Sequence, residues 1–111
     1  SIPFKELVAN ADIKKGAKVF GKCKACHKVG DGQNGTGPHL YEIVGRQIAS
    51  IEGYSYSTAF KSIEGIWTRD ELNAFLTKPS KYAPGTAMNF AGLGKENDRA
   101  NLVKYLETSE Q

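Results

Sequence analysis

At 111 residues the chain is the size of one domain, and 24% charged against 40% hydrophobic residues is the balance of a folded protein rather than a disordered one. No apolar run approaches the length needed to cross a bilayer, so no transmembrane segment is expected in these residues. The formal charge is +3. It is unevenly placed: Lys14, Lys15, Lys18, Lys22, Lys24 and Lys28 follow one another with no acidic residue between them, a patch suited to an acidic partner. No nucleic-acid-binding module accompanies it. A chain this short buries a limited share of its surface and gains from a cofactor that can join its core. Ser1 in place of Met is consistent with a removed export signal.

Residues 1–11 read as an irregular lead-in, with Pro3 early. Asp12 is placed to cap a helix reaching about Lys22, with Ile13, Ala17 and Phe20 as its apolar positions. Gly16 lies inside that helix, where glycine costs stability unless another backbone comes close. The segment from Gly30 to Pro38 is a glycine-rich loop, and residues 45–57 show no sustained period. Ser57 caps a short helix from Thr58 to Ile63. Thr68 and Glu71 form a capping box opening a second helix, whose stripe is Leu72, Phe75 and Leu76 and which Pro79 stops. Residues 79–94 read as a long loop. Asn97 or Asp98 opens a last helix to about Thr108, with Leu102, Val103, Tyr105 and Leu106 on its apolar face. The pattern predicts an all-α domain in which the first and last helices cross at Gly16 near Tyr105. Long glycine-rich loops around so few helices make sense if they wrap something.

The stretch CKACH holds both cysteines of the chain, Cys23 and Cys26, and one of its two histidines, His27. A disulfide here would close a tiny loop and staple little. A thioredoxin-type pair needs a βαβ setting, which is missing. Structural zinc needs about four ligands, and beyond these residues only His39 is at hand. Covalent c-type haem fits best: two thiols three residues apart form thioethers with the vinyl groups, and the adjacent imidazole reaches the iron. His27 then fills one axial position. For the other, Met88 is preferred, being the only methionine and lying in a Pro/Gly loop where helical packing does not explain it. His39 is the runner-up. The Pro38 carbonyl is a candidate acceptor for the second ring N–H of His27. Arg46, Tyr56 and Trp67 can supply donors to the haem propionates. With both axial positions filled, oxidase or peroxidase chemistry is disfavoured and one-electron transfer favoured, at a potential raised by the thioether. The rivals are a ligand-binding haem enzyme and a sensor domain cut from a larger protein.

These motifs, in this order, resemble the class I cytochromes c, specifically the mitochondrial protein and its short alphaproteobacterial relatives, over residues 12 to 108. Gly16 and Phe20 resemble the glycine and aromatic of the family's first helix, CKACH its haem attachment motif, GTGPHL its proline loop, and VGR with Arg46 its propionate arginine. Tyr56 and Trp67 match propionate-contacting aromatics. KYAPGTAMNFAG resembles the distal loop, with Thr86 as a hydrogen-bonding threonine, Met88 as ligand and Phe90 beside the exposed haem edge. Leu102 and Tyr105 match the helix that crosses the first. The resemblance implies a small fold of four to five helices and glycine-rich loops wrapped around one covalent haem c. Residues 1–11 are then a lead-in, 12–108 the cytochrome domain and 109–111 a tail. It further implies a monomeric, non-enzymatic electron shuttle in a bacterial periplasm or, as second choice, the mitochondrial intermembrane space. Its partners would be redox proteins with acidic docking faces, such as a bc1-type complex and a terminal oxidase or reaction centre. Three departures stand out. Phe75 replaces a tyrosine and Phe60 an asparagine, which implies a drier haem crevice. Ser80 replaces a lysine of the docking face, where Lys22, Lys28, Lys81 and Lys95 keep their charge.

Overall fold

The computed structural model describes residues 3–21, 43–48, 50, 56, 63, 65–84 and 90–108. Five helices lie among them: α1 (Phe4–Ala9), α2 (Ile13–Phe20), α3 (Arg69–Thr77), α4 (Pro79–Tyr82) and α5 (Glu96–Thr108). Among the described residues the β-type pairing is a single bridge between Gln47 and Ile66, in keeping with the all-α expectation. The short helix expected at Thr58–Ile63 lies outside the described residues except for Ile63, which is not helical.

Helix α2 begins as its sequence dictates. The Asp12 carboxylate accepts the backbone N–H groups of Lys14 and Lys15 at 2.8 and 3.1 Å, satisfying two donors that the first turn leaves open. The helix ends at Phe20, with Gly21 as its cap, rather than at Lys22. Its buried face is Gly16 and Phe20. Ile13, expected on that face, is 43% exposed.

The seam between α2 and α5 organises the core. A Cβ built on Gly16 would fall on the backbone carbonyl oxygen of Asn101 and 2.8 Å from Tyr105 Cβ. Only glycine lets the two backbones meet there. Phe20 then stacks obliquely on Tyr105, ring centroids 5.3 Å apart. Leu102, Val103 and Leu106 bury the rest of the α5 face, as the apolar period predicts.

Helix α1 corrects the expectation of an irregular lead-in. Phe4 and Val8 are buried in the same core as Leu102 and Leu76, and Lys104 Nζ donates to the Ala9 carbonyl at 2.8 Å. Six residues are too few to stand alone as a helix in water; packing of the Phe4, Leu7 and Val8 face against α3 and α5 stabilises them.

Helix α3 starts at the Thr68 cap, whose hydroxyl accepts the Glu71 N–H at 3.1 Å. Pro79 stops it and also starts α4, occupying the first helical turn where its missing N–H costs nothing. Part of the stretch expected as continuous loop from 79 to 94 is therefore helical. Helix α5 opens at Glu96, one residue before the expected start. An exposed ion pair between Arg69 and Glu107 ties α3 to α5.

Candidate functional site

Of the residues singled out from the sequence, Cys23, Cys26, His27, Pro38, His39, Thr86 and Met88 lie outside the described residues, as does Phe60. Arg46, Tyr56, Trp67 and Phe90 lie within them.

Arg46 and Trp67 are brought together by backbone hydrogen bonds. Gly45 N–H donates to the Trp67 carbonyl at 2.7 Å, and Trp67 N–H donates to the Arg46 carbonyl at 2.8 Å. Ile48 N–H reaches the Gly65 carbonyl at 3.0 Å. Gly45 and Gly65 carry φ of 94° and 124°, a backbone state that side chains with a Cβ resist. Two short loops, distant in sequence, are thereby zipped into one corner. Trp67 is buried there, and Arg46 and Tyr56 are half-buried. Burial lowers the proton affinity of the Arg46 guanidinium, while the charge interaction with Tyr56 acts the other way.

Trp67 opens onto a cluster of rings. Phe75 meets it edge-on at 5.3 Å, and Tyr82 stacks on it at 5.9 Å. Phe75 and Tyr82 meet edge-to-face at 5.6 Å. The Tyr82 hydroxyl donates to Glu71 Oε1 at 2.5 Å. Burial first, and that hydrogen bond second, hold the Tyr82 phenol above its usual pKa. Phe75 thus lies among aromatic rings. Phe90 is half-buried against the same core.

Residues 90–93 follow the segment that contains Met88, and they are fixed on α3. Leu93 N–H donates to the Leu76 carbonyl at 2.7 Å. Gly92 has a φ of 108°, and a Cβ there would lie 2.9 Å from the Thr77 carbonyl carbon. Arg99, from α5, donates through Nε to Asn73 Oδ1 at 2.6 Å and through a terminal nitrogen to the Leu93 carbonyl at 2.7 Å. Tyr82, Asn73 and Arg99 were not singled out from the sequence. A signal existed for Arg99, which precedes Leu102, Val103 and Leu106 by three, four and seven positions and so shares their face.

A half-buried cation beside a tyrosine and a buried indole is chemistry that accommodates the carboxylates of a largely buried macrocycle. The aromatic cluster supplies apolar surface for its ring. With a C-x-x-C-H motif in the chain, these features fit a covalent haem and define a class I, c-type haem domain. Comparison with known proteins agrees. The Cytochrome c family model matches residues 13–110. A cytochrome c homolog of Rickettsia felis is 46% identical over 104 residues, covering 93% of this chain and 59% of that protein. A protein described as cytochrome c-type cyt cy, from Rhodobacter capsulatus, is 49% identical over 98 residues, covering 87% of this chain and 49% of that protein. The chain thus spans only about half to three-fifths of the length of these relatives. The solved structure of cytochrome cH from Methylobacterium extorquens superposes with a TM-score of 0.83 at 35% identity, over 88% of this chain and 99% of that one. The chain belongs to the cytochrome c family, and the resemblance read from its motifs is borne out. The family's cofactor is haem c bonded through cysteine, and Cys23 and Cys26 are the two cysteines present. Among the described residues, no helix is long and apolar enough to cross a membrane.

Proposed function

We propose that this chain is a one-electron carrier shuttling electrons between membrane redox complexes, its haem c ligated by His27 and Met88. One observation carries the reading: a cytochrome c family match over nearly the whole chain, in which CKACH holds both cysteines and Met88 is the sole methionine. Bound haem supplies a one-electron Fe(III)/Fe(II) couple. The residues of the chain set its surroundings. The His27 imidazole would hold the iron from one side, and the Pro38 carbonyl would accept its other ring N–H and so orient it. The Met88 thioether would be the second protein ligand; with both supplied by the chain, the group would be closed to oxygen or peroxide and its reduced state favoured. This makes the chain a carrier rather than an enzyme.

Arg46, Tyr56 and Trp67 neutralise and hydrogen-bond the propionates; the half-buried guanidinium beside Tyr56 supports this role. Thr86 would hydrogen-bond near Met88, and Phe90 would lie beside the bound haem. Residues 12–108 form the haem domain, with 109–111 as a tail. The lysines around the edge, including the exposed Lys81 and Lys95, attract redox partners with acidic faces, such as a bc1-type complex and a terminal oxidase or reaction centre. The protein acts as a monomer. The bacterial relatives favour a periplasmic location over the mitochondrial intermembrane space.

The test is a redox titration with absorption spectra of wild type and Met88→Ala. Wild type should give a reversible one-electron transition and the methionine-to-ferric-iron charge-transfer band at the long-wavelength end of the spectrum. Met88→Ala should lose the band, fall in potential and take up added ligands. A band that survives the substitution sinks the ligation.

A further inference from the structure

We propose that Arg99 is a positioning residue for the distal iron ligand: from α5 it fixes the return limb of the loop that carries Met88. The proposal rests on the reading of Met88 as that ligand. Arg99 is 9% exposed, an unusual place for a guanidinium. Leucine or methionine would fill the site at lower desolvation cost. What the guanidinium provides is direction. It spans α3, through Asn73 Oδ1, and residues 90–93, through the Leu93 carbonyl. Charge-assisted hydrogen bonds of this kind are stronger and more directional than neutral ones.

Leu93 is held on both sides. Its N–H is bound to the Leu76 carbonyl at 2.7 Å and its carbonyl to Arg99 at 2.7 Å. Its neighbour Gly92 lies so close to Thr77 that even a methyl group would collide. The chain between Leu93 and Met88 is short, and an extended residue spans at most about 3.6 Å. Fixing Leu93 therefore restricts the volume that the Met88 thioether can explore. A thioether tethered in this way would hold its place against an external ligand, as a preorganised group does. With the Arg99 contacts broken, the limb gains freedom and an external ligand competes better.

Holoprotein variants test this, with imidazole as the probe ligand for ferric iron and the methionine charge-transfer band as the signature of ligation. Arg99→Lys cannot span both acceptors, and Asn73→Ala removes one of them. Each should speed imidazole binding on the order of tenfold, the size of one lost charge-assisted hydrogen bond, and weaken the band on warming before the helices melt. Phe4→Ala, destabilising through α1 at a distance from this limb, is the control and should stay within about twofold of wild type. Imidazole binding unchanged in the Arg99 and Asn73 variants overturns the proposal while leaving Met88 as the ligand. So does equal acceleration by Phe4→Ala, which would mean that Arg99 acts only through global stability. A wild-type protein without the band overturns the ligation itself, and the role of Arg99 with it.

Discussion

The Asn101 side chain accepts the backbone N–H of Asp12 at 2.9 Å, across 89 positions of sequence. Asp12 is the residue whose carboxylate caps α2. The start of α2 is thus held by the middle of α5, one turn from where Gly16 lets the backbones touch. A methyl group at Gly16 has nowhere to go, because what it meets is backbone. Gly16→Ala gains about 1 kcal/mol of helix propensity and forces the helices apart at a cost of about 3 kcal/mol or more. A net loss of about 2 kcal/mol is expected in denaturant unfolding of the holoprotein.

The same seam shows how far the sequence could be read. Gly16 against Tyr105 was predictable, since a glycine inside a helix asks for a close neighbour. The Asp12 and Thr68 caps, and the Leu72, Phe75 and Leu76 stripe, follow from local chemistry. Helix α1 was hidden because six residues carry too little period to separate from a lead-in, although Phe4, Leu7 and Val8 have the right spacing. The Thr68–Glu71 box was only half legible. Thr68 caps as expected, but the Glu71 carboxylate takes the Tyr82 hydroxyl, a tertiary contact that no local pattern announces. Arg46 and Trp67 could be named from the sequence only as candidates for one site. The backbone pairing that joins them is a product of the fold.

Helix α1 contributes to the core. Phe4→Ala should cost about 3 kcal/mol, the usual loss for a buried aromatic, and leave the haem absorption spectrum of the folded protein unchanged. Thermal unfolding followed by circular dichroism and by Soret absorbance would check both halves. A cost under about 0.5 kcal/mol would mean that α1 is a surface appendage.

Alkaline stability should carry the mark of Tyr82. Its phenol is raised above the ordinary value of 10.0, by burial and by the bond to Glu71. A folded value above the unfolded one adds stability that is complete below about pH 10. It declines as pH rises through the window between the unfolded and folded values. Tyr82→Phe should lose up to about 1 kcal/mol near neutrality. Its deficit against wild type should shrink above pH 10. Urea midpoints of both proteins across that range provide the measurement, and a deficit that grows with pH contradicts the assignment.

Arg46 should influence the redox couple. A cation near the haem favours the reduced form, which carries one positive charge fewer. Arg46→Leu should therefore lower the midpoint potential, by an amount on the order of the 59 mV that marks a tenfold change for one electron. Spectroelectrochemical titration gives the shift directly. A rise in potential would place the guanidinium elsewhere than at the propionates.

Electron transfer to an acidic partner should depend on salt. Between about 10 mM and 150 mM ionic strength the screening length falls from about 30 Å to about 8 Å. Stopped-flow association rates should drop about tenfold or more over that range if the lysines steer the encounter. Lys81→Glu or Lys95→Glu should reduce both the rate and its salt sensitivity.

Because α2 and α5 grip one another from opposite ends of the chain, everything between them is a closed circuit rather than a line. A single nick in the backbone between Gly21 and Arg69 would not by itself release the two pieces: each retains one half of the interlocking pair, with Asn101 and Gly16 in place to recognise it. Two separately produced fragments, one bearing the haem, should find each other in solution and rebuild the molecule.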